Sequence, residues 1–277
     1  MAPTGVNRRL LLGGAGSLLA LPACAQSEAV FRALESKGMR IGVAALDTGN
    51  GRSFLQRADE RFLMCSTFKL SLAAAVLRRV ERGEERLGRL VAYTAADLLS
   101  VSPVTSVNVE RGLTIDALCA AVIHVSDNTA ANLLLESIGG PAALNTLFRD
   151  AGDTVTHLDR MELMLNVRDG DKDTTTPRAM LGTMQALLLG SLLGPTSRAR
   201  LLRWMGEVTT GLALLRAGLP RDWRVGDKTG RNQAGAINDL AIAYPPDRAP
   251  ILIAAYTEGA TDGTLAEIGR LAATALA

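Results

Sequence analysis

Four short groups of residues in this chain carry side chains suited to acyl transfer, and they follow one another in the order such a reaction would use them. The first is Cys65-Ser66-Thr67-Phe68-Lys69, the second Ser126-Asp127-Asn128, the third Glu162-Leu163-Met164-Leu165-Asn166, and the fourth Lys228-Thr229-Gly230. Ser66 and Lys69 are three apart, so on a helix both face one side. A serine hydroxyl attacks poorly until a base takes its proton, and a semi-buried lysine with a lowered pKa can do that. A helix N-terminus at Ser66 would favour negative charge developing beside it. Ser126 can relay a proton to a leaving nitrogen, while Asn128 can offer its amide to a substrate carbonyl and to Lys69. Asp127 is better suited to holding the turn through backbone N–H groups. Glu162 and Asn166, four apart in a polar stretch, can hold one water between them. Lys228, Thr229 and Gly230 put a cation, a hydroxyl and an approachable backbone on a strand edge, which suits a carboxylate.

Each group has a plainer explanation by itself. Ser66 with Lys69 equally describes an N-cap serine before a surface lysine, Ser126-Asp127 a cap for the next helix, Lys228 a lysine at a strand exit, and Glu162 an exposed loop charge. Two of the four lysines (37, 69, 172 and 228) fall inside the motifs of an otherwise arginine-based chain. The conjunction therefore argues against coincidence.

The elements that must position these groups follow from periodicity and breakers. Helical spacing runs over 27–37, 66–82, 113–125, 129–138, 141–151, 177–192, 197–205 and 265–277. Strand-like stretches lie at 39–47 and 52–56, joined by Thr48-Gly49-Asn50-Gly51, and at 223–229, 238–244 and 251–257. Residues 160–176 are polar and aperiodic, and a loop of that length within a compact domain usually serves function. The pattern predicts an α/β (α+β) fold: one antiparallel five-stranded sheet, built from both ends of the chain and flanked by terminal helices, packed against an all-helical lobe. The α/β lobe is expected over 26–60 and 206–277 and the helical lobe over 61–205, within a single catalytic domain, 26–277.

With 277 residues, 48% hydrophobic and 21% charged, the chain has the composition of a folded soluble protein. A net charge of +2, scattered basic residues and 4% aromatics argue against nucleic-acid binding. His124 and His157 are isolated and no CxxC occurs, so neither a metal site nor a cofactor is expected. Residues 1–25 read as an export signal: Arg8-Arg9, an apolar run from Leu10 to Leu21, then Pro22-Ala23-Cys24-Ala25. The run is too short to span a bilayer comfortably. Asn7-Arg8-Arg9-Leu10-Leu11 also resembles a twin-arginine signal, and Leu21-Pro22-Ala23-Cys24 loosely a lipoprotein box with a lipid on Cys24, a reading that Pro22 weakens. A periplasmic or otherwise exported monomer is the expectation.

Taken together the four motifs closely resemble the class A serine β-lactamases, from about Ser27 to the C-terminus. Ser102-Pro103-Val104-Thr105 and Asp173-Thr174-Thr175-Thr176-Pro177 add to the likeness. The resemblance implies that Ser66 attacks a β-lactam carbonyl, with Lys69 or a Glu162-bound water as base. It implies an oxyanion hole from the N–H groups of Ser66 and Arg231, worth about a hundred- to a thousandfold per donor. Ser126 would protonate the ring nitrogen, Glu162 with Asn166 would direct the hydrolytic water, and Asn128, Lys228 and Thr229 would hold substrate.

The chain also departs from that family. Val101 stands where an aromatic residue commonly lines the entrance, and Arg231 and Asn232 follow Gly230 where small residues are usual. Positions from which an arginine often reaches the substrate carboxylate hold Ile237, Leu214 and Asp262, which makes Arg231 the candidate to supply that charge. The stretch between Asn166 and Asp173 is slightly short. Cys119 faces Ala73 and Cys65 faces Asn232 in the family's two disulfide positions, so neither bridge forms. The alternatives are a penicillin-binding DD-peptidase, a non-hydrolysing penicillin sensor, or a serine–lysine protease. Glu162 with Asn166 argues against the first, the lack of a signalling segment against the second, and the Lys228 motif against the third.

Overall fold

The structure, a computed structural model, describes residues 23–276. The export signal expected over 1–25 lies outside the described residues as far as residue 22, and 23–25 belong to the first helix. In chain order, helix α1 (Ala23–Glu35) is followed by strands β1 (Arg40–Asp47), β2 (Ser53–Gln56) and the short β3 (Phe62–Leu63). A 3₁₀ turn, Cys65–Thr67, leads into α2 (Phe68–Glu81). Two-residue strands β4 (Leu90–Val91) and β5 (Leu113–Thr114) precede α3 (Ile115–His124), α4 (Asn128–Ile138) and α5 (Pro141–Asp150). After β6 (Thr174–Thr175) come α6 (Pro177–Leu188), α7 (Pro195–Gly206) and α8 (Leu215–Gly218). Strands β7 (Arg224–Arg231), β8 (Ile237–Tyr244) and β9 (Ile251–Glu258), then α9 (Asp262–Leu276), complete the chain.

The main sheet is antiparallel in the order β2-β1-β9-β8-β7, so N-terminal β1 lies against C-terminal β9, from Arg40↔Glu258 to Asp47↔Ile251. Its side chains alternate between two cores, as the period of two requires. Ile41, Val43, Ala45, Ile251, Ile253 and Ala255 pack with α1, α8 and α9. Ala44, Leu252, Ala254, Tyr256, Leu240 and Ile242 pack on the other face with α2, α6 and α7. Burial on both faces explains why these strands read as continuous apolar runs. Strands β2 and β7 are the two edges, and the Lys228–Arg231 end of β7 borders the helical part of the molecule.

Local chemistry sets the helix ends. The Thr114 hydroxyl accepts from Ala117 N at the start of α3, and the Asp127 carboxylate accepts from Ala130 N (2.9 Å) at the start of α4. Gly139 terminates α4 at φ +102°, and proline opens both α5 and α6. The expected helix over 177–192 stops at Leu188, and the expected strand ending at Thr229 continues to Arg231. The helix expected from Ser66 begins as a 3₁₀ turn; β3, β4, β5 and β6, two residues each, and α8, barely one helical turn, are too short to show a period.

Candidate active site

The Ser66 turn is held by the sheet rather than by its own helix. Asn238 of β8, 1% exposed, donates to the carbonyls of Leu63 (2.9 Å) and Met64 (3.2 Å). Thr67 donates to Met64 O (2.8 Å) and shares a hydrogen bond with the Tyr256 hydroxyl of β9 (3.1 Å). Gly230 of β7 allows the closest approach: a Cβ there would lie 2.9 Å from Met64 O and 3.1 Å from the N atoms of Ser66 and Thr67. The edge strand therefore lies directly against the Ser66 N–H. Cys65, just before Ser66, holds φ +46°, and Ser126 holds φ +60°. Left-handed backbone in a non-glycine residue costs about 1–3 kcal/mol and persists only where its surroundings enforce it.

Ser66, Lys69, Ser126, Asn128 and Glu162 converge. Lys69 Nζ donates to Ser126 O (2.8 Å) and Asn128 Oδ1 (2.6 Å), and lies 3.0 Å from Ser66 Oγ and 2.9 Å from Glu162 Oε1. The first two partners are acceptors only and hold two of the amine's positions. The remaining position faces Ser66 and Glu162, so it is through this one that a proton can move. Ser66 Oγ is itself 3.4 Å from Glu162 Oε1. Both Lys69 and Glu162 have fully buried side chains. Burial pushes the Lys69 ammonium below its ordinary range, against the opposing pull of Glu162. Ser126 Oγ receives Lys228 Nζ at 3.1 Å and has Lys69 Nζ at 3.4 Å, which leaves the hydroxyl's own proton free to be given away.

Glu162 is fixed from both sides. Asn166 Nδ2 donates to Glu162 Oε2 (2.6 Å), while Asn132 of α4 donates to Glu162 O and accepts from Glu162 N, both at 3.0 Å. The 160–176 stretch is closed by Asp173, fully buried, which accepts from Arg160 Nε (2.6 Å) and from the N–H groups of Asp159 and Arg160. Arg160 and Asp173 thus pair across the two ends of the stretch. Asn232 Nδ2 donates to Asn166 O (3.0 Å) and ties the loop to the β7–β8 turn. Asp127 holds its turn as expected, accepting from the N–H groups of Val104 and Thr105 and from the Thr105 hydroxyl. Asn128 in turn donates from Nδ2 to Ser100 O and from its backbone N–H to Val101 O.

At the other end of the cleft, Lys228 is fully buried and donates to Thr229 O (2.7 Å). Burial, reinforced by repulsion from Lys69, brings its ammonium down to about 7. Beneath it Asp227 and Asp239 are both fully buried, and desolvation pushes both carboxyls above their usual range, Asp239 well above. Thr229 Oγ1 lies 2.7 Å from Thr210 Oγ1.

Arg231 is the one proposed binding residue whose side chain leaves this constellation. Its guanidinium pairs with Asp262 at 2.7 Å, both side chains about half-exposed (45% and 47%). Leu214 and Ile237, the other positions considered for a carboxylate-binding cation, are buried in the core beneath α8 and α9. Cys65 and Cys119 are both free thiols in the interior, and burial pushes Cys65 up to about 12.

This geometry can be set beside known proteins. Residues 25–277 match the model of the β-lactamase enzyme family. The chain belongs to the class A β-lactamases. It is 47% identical over 227 residues to β-lactamase AST-1 of Nocardia asteroides, covering 81% of this chain and 73% of that one. It is 44% identical over 253 residues to β-lactamase CTX-M-8 of Citrobacter amalonaticus, covering 89% and 85%. Among solved structures, the last common ancestor of Gram-negative class A β-lactamases superposes with a TM-score of 0.88 at 51% identity, covering 91% of this chain and all of that one. A β-lactamase from Burkholderia vietnamiensis gives 0.88 at 47%, covering 93% and 97%. The fold class and family expected from the motifs both hold.

Sequence reasoning overlooked four residues of this β-lactamase site: Asn132, Thr210, Asn232 as a latch, and Asn238. A signal existed for Asn132, which lies four residues beyond Asn128 and so on the same helical face. Thr210 and Asn238 reach the site only through tertiary contacts.

Proposed function

We propose that this protein hydrolyses the β-lactam amide of penicillin- and cephalosporin-type antibiotics through an ester on Ser66, and thereby confers resistance. The observation that carries the reading is the mutual approach of Ser66 Oγ, Lys69 Nζ and Glu162 Oε1, all within 3.4 Å of one another. Ser66 attacks the ring carbonyl as its proton passes to Lys69, or through a water to Glu162. The developing oxyanion takes hydrogen bonds from the N–H groups of Ser66 and Arg231, in a dry site where such donors act strongly. Ser126, its lone pairs turned to two lysines, gives its proton to the departing ring nitrogen. The C–N bond breaks and the acyl group stays on Ser66.

Release is the second half. Glu162, held by Asn132 and Asn166, takes a proton from water lying between it and the ester carbonyl. Hydroxide adds to the carbonyl carbon and Ser66 leaves, recovering its proton. A protein that only bound penicillin would have no need of a carboxylate fixed at this distance. Asn128 holds the substrate's side-chain amide. Lys228 and Thr229 hold its carboxylate, and Arg231, which shares the Thr229 face of β7 because strand side chains alternate, adds positive charge that Asp262 partly offsets. The molecule acts as an exported, periplasmic monomer, in two lobes over 26–60 with 206–277 and over 61–205, after removal of residues 1–25; a lipid at Cys24 is the variant form.

Mass spectrometry of the protein mixed with a penicillin tests the whole scheme. A transient adduct on Ser66 with turnover is expected. A persistent adduct would make it a binding protein or sensor, and no adduct would refute the acyl-enzyme.

A further inference from the structure

Thr210 belongs to no motif in the sequence, yet it covers the innermost hydroxyl of the site. It lies in the turn between α7 and α8, exposed, with its Oγ1 2.7 Å from that of Thr229, which is only 4% exposed. Its position is fixed on both sides. The N–H and the hydroxyl of Thr209 both donate to His124 O (3.2 Å each), two residues before Ser126. Gly211 is pressed against Asp227 so closely that a Cβ there would overlap the carboxylate. The segment 209–211 thus straps the end of α3 to β7, with Thr210 at its centre and its hydroxyl turned to Thr229.

Two hydroxyls 2.7 Å apart are close enough for each to donate to one oxygen of the same carboxylate. While the site is free of substrate, one donates to the other. An arriving carboxylate can replace that single neutral bond with two charge-assisted ones, one hydroxyl to each oxygen, and such bonds are roughly twice as strong. The arrangement also answers the absence of a cation at 214 and 237, because donors can serve where a positive charge is missing.

We infer that Thr210 is a substrate-binding residue, forming with Thr229 a two-hydroxyl fork that grips the ring carboxylate of the β-lactam. The inference rests on the reading of Lys228 and Thr229 as the carboxylate end of the site. No bond is made or broken by Thr210, so its effect falls on recognition.

The test compares a penicillin with its methyl ester, which keeps the reacting ring and loses the charged oxygens. The preference for the free acid, as a ratio of kcat/KM values, is measured in the parent and in Thr210→Val, Thr210→Ser and Thr229→Val. Loss of one charge-assisted donor corresponds to about a tenfold drop in that ratio for Thr210→Val, carried by KM. Thr210→Ser keeps the parent ratio, and an unchanged melting temperature in both shows that the strap is intact. An unchanged ratio in Thr210→Val beside a fallen one in Thr229→Val overturns the fork alone. Unchanged ratios in both valine variants would overturn the carboxylate site itself and the fork with it.

Discussion

At the scale of single residues, burial weakens the hold of Lys69 and Lys228 on their protons. Lys69 and Glu162 are buried together, and the amine has two of its positions occupied by acceptors that can take nothing else from it. That leaves the position facing Ser66 and Glu162 as the one through which a proton can be exchanged. Removing the carboxylate should separate the two halves of the reaction. In Glu162→Ala, acylation is expected to persist while the ester accumulates, with kcat lower by about a thousandfold, within the range for a positioned general base. Rapid-quench mass spectrometry shows the trapped adduct directly. Lys228 gives a second expectation, on pH. Its ammonium is brought down to about 7 by burial and by Lys69, so the positive form prevails below that value and is lost as pH rises through it. KM for carboxylate-bearing β-lactams should therefore rise several-fold between about pH 6 and about pH 9, with an arginine at 228 flattening the profile because guanidinium does not titrate there. Arg231 contributes at this scale too. An exposed ion pair is worth about 0–1 kcal/mol, weak enough for a substrate to disturb, so Asp262→Asn is expected to lower KM and Arg231→Ala to raise it.

At the scale of elements, two contacts hold the catalytic geometry. The first is the meeting of β7 with the Ser66 turn at Gly230, where there is no room for a methyl group next to Met64 O and Ser66 N. Gly230→Ala must push the strand from the turn, and displacements approaching 1 Å can cost about a hundredfold in rate. Its kcat/KM should fall to that extent with the melting temperature little changed, as steady-state kinetics and calorimetry can show. The second is the closure of the 160–176 loop by Asp173, a buried carboxylate with three donors. Asp173→Ala leaves Arg160 and two N–H groups without their acceptor, and breaking a buried pair costs about 3–5 kcal/mol. Local unfolding of the loop should appear as faster hydrogen exchange over 160–172, with deacylation slowed more than acylation.

At the scale of the molecule, the sheet is the frame that carries Lys228 and Thr229 and fixes the Ser66 turn. It buries both faces, one under α1, α8 and α9 and the other against the helical middle, and it brings residue 40 next to residue 258. The chain cannot finish its sheet until β9 has been added beside β1, and Asn238 and Tyr256 in the last two strands then fix the Ser66 turn. How much of this was legible beforehand varied with length scale. The five strands of the main sheet and the eight longer helices announce themselves by periodicity and by capping residues such as Asp127, Gly139 and Pro177. Two-residue strands such as β3 and β6 have no period to detect, and they form only because Phe62 meets Thr175 and Leu63 meets Thr174 across the fold.

The sequence by itself determined the reagents of this protein: a serine and lysine three apart, a Ser-Asp-Asn turn, a carboxylate and amide four apart, and a Lys-Thr-Gly strand end. These are local, and their chemistry is set by residue type and spacing. Only the tertiary structure decided how they behave: that Lys69 and Lys228 lose their water, that Arg231 turns to Asp262, that Asn132 and Asn232 clamp the loop, and that Thr210 covers Thr229. Desolvation and long-range hydrogen bonds depend on which surfaces meet, and partners as far apart as 66 and 162, or 64 and 238, share no pattern along the chain.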